Sequence, residues 1–164
     1  MPPISCRLTE PSDIPGMASI RAQEWGTEEY WTDRISRYLA GELHPQKALD
    51  PRISFVALED SVVIGFVAGH RTRRYDCEGE LEWINVLPGH RGRGVAADLL
   101  RLLAGWFAEQ GAFKVCVNVA PDNIAASRFY RRHGAVELNE YFLVWKDIRA
   151  VLEKGSDTMN AMPQ

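Results

Sequence analysis

The stretch VLPGHRGRGVAADLL, Val86 to Leu100, sets two glycines, Gly92 and Gly94, and two arginines, Arg91 and Arg93, directly ahead of a helical apolar pattern. Val95, Ala96, Leu99, Leu100, Leu103, Trp106 and Phe107 recur at the spacing of a buried helix face, so the loop feeds a helix N-terminus. Such a terminus leaves backbone N–H groups without partners and carries about half a positive charge. Glycines remove the side chains that would hold an anion away, and arginines add charge-assisted donors. The chemistry expected of Arg91, Gly92, Arg93, Gly94, Val95 and Ala96 is phosphate binding.

Two familiar phosphate loops fit poorly. A P-loop needs Gly-Lys-Ser/Thr, and RGRGVAADLL offers neither the lysine nor the hydroxyl. Gly92, Gly94 and Ala97 match the dinucleotide pattern G-x-G-x-x-A, but that pattern belongs after a first parallel strand and needs an acid closing the next one. The acid is missing at the end of KVCVNV.

The elements that must carry this loop can be read from periodicity. ISCRL reads as a first strand, followed by a helix over PSDIPGMASIRAQEW with Ser12 or Asp13 as cap. Glu28 to Leu39 reads as a second helix ended by Gly41, with HPQKALDPR as a loop. ISFVALE and VVIGFVAGHRT, joined by a polar turn at Asp60 and Ser61, read as an antiparallel hairpin. Glu80 to Leu87 makes a further strand, Val95 to Gln110 a long helix, FKVCVNV a strand, Asp122 to His133 a helix stopped by Gly134, and AVELNEYFLVWKDI one or two last strands. This order predicts an α/β fold with a mixed, mostly antiparallel central sheet of six to seven strands flanked by about four helices.

The 164 residues suit one domain, expected over 1–154, with 155–164 as a tail lacking periodicity. Nineteen basic and twenty-two acidic side chains leave a net charge of -3, which advertises neither nucleic acid nor an anionic membrane. Cys6, Cys77 and Cys116 are odd in number and widely spaced, as expected of reduced thiols in a cytoplasmic protein, and no ligand spacing suggests a metal. No apolar run approaches the ~20 residues of a spanning helix.

VLPGHRGRGVA resembles the acyl-CoA pyrophosphate loop of the GNAT family of N-acetyltransferases, a strand ending V-x-P that runs into [Q/R]-x-x-G-x-[G/A]; Arg91, Gly94 and Ala96 fill its defined positions. VNVAPDNIAASRFYRRHGA is similar to that family's second cofactor segment at Asn123, Ala126, Phe129, Tyr130 and Gly134. The resemblance covers about Ser54 to Trp145; Ala96 stands where glycine is frequent, and Ala135 where an aromatic often follows the glycine.

The resemblance implies transfer of an acetyl group from acetyl-CoA to a primary amine of a small molecule or peptide. It also implies a sheet splayed between the strands of Val86 and Val119, with the Val86 amide polarising the thioester. A non-catalytic acyl-CoA sensor is the alternative, and the resemblance allows a homodimer that no residue pattern demonstrates. Tyr130 is the implied general acid, against a plain buried aromatic; Asn123 is implied to bond the pantetheine arm, against ordinary helix-start chemistry. Strand alternation puts Glu80, Glu82, Ile84 and Val86 on one face, which makes Glu82 the candidate general base with Glu80 second, against a solvated pair of glutamates. QEWGTEEYW mixes acids and aromatics suited either to a cationic amine or to core and solvent faces, and Arg71, Arg73, Arg74, Arg131 and Arg132 are exposed cations or anion contacts.

Overall fold

The computed structural model describes residues 2–153. Its elements run β1 (Ile4–Leu8), α1 (Ile14–Ala22), α2 (Glu28–Leu39), β2 (Ala48–Glu59), β3 (Val62–Thr72), β4 (Gly79–Val86), α3 (Val95–Glu109), β5 (Val115–Asn118), α4 (Ile124–Arg132), β6 (Val136–Asn139) and β7 (Phe142–Trp145). Residues 149–153 are helical. The seven strands form one sheet in the order β1-β2-β3-β4-β5-β7-β6, with β4 and β5 parallel and the other neighbours antiparallel. The mixed, mostly antiparallel sheet expected from the element order is therefore present. Lys154 and the tail expected over 155–164 lie outside the described residues.

Each face of the sheet carries its own core. On one, Leu99, Leu100, Leu103 and Phe107 of α3 and Tyr130 of α4 pack with Val67, Leu81 and Val86. On the other, Met17 and Ile20 of α1 and Trp31, Ile35 and Tyr38 of α2 pack on Val56, Phe66 and Trp83. This selects Trp31 and Tyr38 as the buried aromatics of α2 and leaves Tyr30 41% exposed. Thr27 caps α2, its hydroxyl accepting from the Tyr30 amide at 3.0 Å.

Four differences from the sequence reading matter here. β2 begins at Ala48, not at Ile53: Pro51, which has no N–H to donate, sits in a register shift between Leu49 and Arg52, so the strand continues around it. α1 begins at Ile14 with Asp13, one of the two expected caps, as its N-cap, and ends at Ala22, short of the expected Trp25; Pro11–Asp13 form a 3-10 turn, and the Asp13 carboxylate accepts from the Glu10 amide at 2.7 Å and from both Arg7 guanidinium nitrogens at 2.7 and 3.0 Å. α4 begins at Ile124, and its cap is Asn123, where the sequence suggested Asp122. The β2–β3 turn is the expected one, with Asp60 and Ser61 both at positive φ, as a two-residue turn between right-twisted strands demands.

The fourth difference bears on the site. β3 and β4 pair Gly69 with Leu81 and Ala68 with Trp83, so Glu82 is an extra residue bulged from the ladder. The bulge breaks the period of two. Ile84 and Val86 join the α3 core, whereas Glu80 meets His70 on the α2 side, so the four residues expected on one face are divided between both.

Candidate active site

The sheet parts between β4 and β5. Their register partners are Gly79 with Val115, Glu80 with Cys116 and Leu81 with Val117, and β4 then runs on to Val86 without a partner on that side. The Leu87 amide donates to the Ile64 carbonyl at 2.8 Å. Alternation along an antiparallel ladder then makes Gly65 and Val86 a non-hydrogen-bonded pair, which turns the Val86 N–H away from β3 and toward the gap. The splay implied for the strands of Val86 and Val119 is thus visible in the register.

The glycine-arginine loop lies at the mouth of this gap. Pro88–His90 form a 3-10 turn, and Gly92 and Gly94 follow at φ 80 and 82, a left-handed conformation that a side chain would strain. A Cβ at either position would meet no atom within 4 Å, so the space beside the loop is open. Gly94 is the N-cap of α3, and no side chain caps the helix, which leaves the amides at Val95 and Ala96 to an external acceptor. A phosphate group fits this cradle of unpaired N–H groups at the positive end of a helix.

The two arginines are placed differently. Arg91 keeps its side chain 59% exposed, with Nε donating to the Val86 carbonyl at 3.2 Å and a guanidinium nitrogen 3.9 Å from Glu24. Arg93 is drawn to Glu59 at the end of β2, 2.6 Å away, where His90 also lies at 3.2 Å. The Arg93 and His90 contacts hold the Glu59 carboxyl below the usual carboxylate range. Arg93 thereby ties the loop to the hairpin, while Arg91 faces the mouth.

Tyr130 of α4 packs in the same core as Val86 and Val119. It is 6% exposed, and its ring packs edge-on against Phe129 and Trp145. Burial pushes its phenol well above the ordinary value, with Arg21 pulling the other way and Glu24 adding to the rise. The hydroxyl therefore holds its proton at neutral pH. Asn123 uses Oδ1 to accept from the Ala126 amide at 3.1 Å, so its carbonyl oxygen caps α4 and its amide nitrogen stays outside that bond.

Glu82 is half-buried at the bulge. Burial raises its carboxyl above the usual range; His70, Arg74 and Arg34 oppose the rise and Glu80 adds to it. Two residues absent from the sequence reading, Arg21 and Asn85, are joined to Glu24 of the QEWGTEEYW stretch. Asn85 on β4 donates to Glu24 at 3.0 Å and accepts from Arg21 at 3.2 Å, and the Arg21 guanidinium stacks 4.3 Å over Trp31 while feeling Glu24, Glu82 and Tyr130. Arg21 thus lies within electrostatic reach of both the candidate base and the candidate acid, and Glu24 within reach of the acid. Asn85, a polar residue ending an apolar strand, was the one available signal. The aromatics of QEWGTEEYW divide: Trp31 is core, and Trp25, 56% exposed, stacks on it at 4.9 Å. Among the described residues no group of three or more His, Cys, Asp or Glu is arranged to hold a metal ion, and no helix is long and apolar enough to cross a membrane.

Comparison with known proteins names the class of fold to which this parted sheet and uncapped helix start belong. Residues 17–135 match the family model described as "Acetyltransferase (GNAT) family", and the chain belongs to that family. It is 31% identical over 94 residues to an aminoglycoside N(6')-acetyltransferase type 1 of Salmonella typhimurium, a match over 54% of this chain and 65% of that protein. It is 34% identical over 86 residues to an uncharacterised N-acetyltransferase of Mycobacterium tuberculosis, over 52% of this chain and 54% of that protein. The chain thus spans between half and two thirds of the length of these curated relatives. Among solved structures, an aminoglycoside N-acetyltransferase AAC(6')-Iy in complex with CoA superposes with a TM-score of 0.69 at 23% identity, covering 85% of this chain and 91% of that one. The PaiA N-acetyltransferase of Thermoplasma acidophilum, also in complex with coenzyme A, gives 0.65 at 19% identity, covering 88% and 99%. These two likenesses are likenesses of fold.

Proposed function

We propose that the protein is an N-acetyltransferase that moves an acetyl group from acetyl-CoA directly to a primary amine of a small molecule or peptide. The observation that carries this reading is the unpaired end of β4, where the Val86 N–H is turned into the gap beside an uncapped helix N-terminus. The amides of Gly92 to Ala96 and the Arg91 guanidinium would hold the diphosphate, with Arg93 bracing the loop through Glu59 and the Asn123 amide nitrogen left for the pantetheine arm. Bound acetyl-CoA would supply the activated acyl group as a thioester. The Val86 amide would donate to its carbonyl oxygen as negative charge develops there. Glu82, with a carboxyl raised by burial, would accept the proton of the incoming amine, and the protonated Tyr130 hydroxyl would give one to the departing thiolate.

The relatives named as aminoglycoside acetyltransferases support a polyamine-like small molecule as acceptor. Thiol release from acetyl-CoA, followed against a panel of aminoglycosides, polyamines and N-terminal peptides, tests the reading. Release above hydrolysis with an acetylated product in the mass spectrum supports it. Tight CoA binding with no release across the panel would show an acyl-CoA sensor instead.

A further inference from the structure

Beneath Glu82 lies a row of buried polar groups contributed by α2, β3 and β4. Tyr38 and His70 are fully buried and Glu80 is 3% exposed. Tyr38 Oη lies 2.8 Å from His70 Nδ1, His70 Nε2 lies 3.4 Å from Glu80 Oε1, and Glu80 Oε2 lies 3.6 Å from an Arg74 guanidinium nitrogen. His70 Nε2 and Glu80 Oε1 have neither solvent nor a hydrogen bond, and they face each other as cross-strand partners. A buried polar pair left this loose costs stability, and such costs are kept where they serve a site.

The orientation of the imidazole follows from its neighbours. Nε2 faces the Glu80 carboxylate, so an N–H belongs there, while Nδ1 meets the hydroxyl of Tyr38, whose phenol is pushed up by burial. One face of the ring is thus fixed by α2 and the other presents a donor to Glu80. The bulge takes Glu82, two residues further along β4, out of strict alternation, and its carboxyl feels the Glu80 charge, so the two carboxylates are coupled. Only one of them can serve as proton acceptor for an amine, and the other must be held aside.

We propose that His70, clamped between Tyr38 and Glu80 under the β4 bulge, is a positioning residue that pins Glu80 toward Arg74 and leaves Glu82 as the carboxylate that takes the amine's proton. The inference rests on the acyl-transfer reading above. In the step, the acceptor nitrogen forms its bond to the acyl carbon as the carbon–sulfur bond breaks; the nitrogen's proton passes to Glu82, which returns it to water, and the departing thiolate takes the Tyr130 proton, which water replaces, while Glu80, His70 and Tyr38 end with the protons they began with. The groups facing Glu82 are Arg21 of α1, Arg34 and Tyr38 of α2, His70 of β3, Arg74 of the following turn and Glu80 of its own strand. His70 and Glu80 act on it with opposite sign.

That opposition is the test. The Glu82 carboxyl, labelled with carbon-13 and assigned by its loss in Glu82→Gln, is titrated by NMR in the full chain and in His70→Asn and Glu80→Gln. The amide of His70→Asn still reaches Tyr38 but presents no donor to Glu80. It should raise the Glu82 midpoint, whereas Glu80→Gln should lower it, each by about half a pH unit, equivalent to about threefold in kcat/KM on the acid limb of the profile. His70→Gln, whose amide reaches the Nε2 position, should bring the midpoint back toward the parent value. A midpoint moved the same way by both variants, or by neither, overturns the inference, and the isosteric Glu80→Gln decides alone should His70→Asn not fold. The titration needs neither acceptor nor acetyl-CoA. Absence of thiol release would therefore sink the proposed function and leave this outcome standing on its own.

Discussion

Replacing Gly94 by alanine separates the cost of a left-handed turn from the cost of crowding an anion. Gly94 has φ 82 and ψ 5, and a Cβ there would meet nothing within 4 Å, so the substitution creates no clash inside the protein. Its stability cost is the conformational one, about 1 kcal/mol, or about 2–4 °C in Tm for a chain of this size. Gly41, after α2, has φ 78 and the same empty surroundings, and Gly41→Ala should lose about as much stability. The two variants part company on ligand. If the open space beside Gly94 is where the diphosphate sits, the methyl displaces it from at least one charge-assisted donor, about 1.5–3 kcal/mol, and CoA affinity falls by about 10- to 150-fold. Gly41→Ala should bind CoA as the parent does. Titration calorimetry with CoA beside thermal unfolding of the three proteins measures both quantities. Equal CoA affinity in Gly94→Ala and Gly41→Ala would refute the cradle, because the single difference predicted between them is what the empty space is for.

Tyr130→Phe should lower kcat with CoA affinity kept within about twofold, read by thiol release at saturating amine, since the phenol is placed to give up a proton and the ring keeps its packing on Phe129 and Trp145. Asn123→Ser retains a cap for α4 but loses the amide nitrogen; unchanged Tm with a raised KM for acetyl-CoA is expected, and a fall in Tm alone would show that capping is the residue's whole role. Asp13→Ala removes a carboxylate that Arg7 and the Glu10 amide both engage, and should cost about 1–2 kcal/mol in urea unfolding, a figure reduced by the partial exposure of Arg7. The Arg7 hydrogen bonds hold the Asp13 carboxyl below its ordinary value, so this stabilisation is present above the unfolded-state midpoint of about 3.9 and is lost as pH falls through the lower folded-state midpoint. Identical acid-unfolding profiles for parent and Asp13→Ala would contradict it.

Local rules made much of this legible. α2 begins and ends where its apolar spacing puts it, and β3 covers the predicted run, because periodicity acts within a few residues. The tight glycine turn and the helix start it feeds were readable for the same reason, since Gly92, Gly94 and the first residues of α3 are contiguous. Contacts of long sequence separation were not readable: Glu24 meets Asn85 across 61 residues, Arg21 meets Asn85 across 64, and Tyr38 meets His70 across 32. The bulge at Glu82 was missed because strict alternation assumes an unbroken ladder. In GELEWINV that assumption places two glutamates and two aliphatic residues on one face, and so mixed a face is itself the trace of an inserted residue. Asp122 and Asn123 are both good caps, and chain geometry alone chose between them.

Three consecutive residues of β4, Gly79 to Leu81, are all that β5 grips, so the sheet behaves as two leaves on a short spine. The leaf of β1 to β4 is braced by its own long ladder, and the leaf of β5 to β7 by the turn joining its last two strands. Prying the leaves further apart breaks no ladder in either one. The α3-side core bridges the two leaves, with Val67, Leu81 and Val86 of one packed together with Val117, Tyr130 and Trp145 of the other, so room for a bulkier acyl chain has to come from that shared core and the backbone around Leu81 and Val117 together.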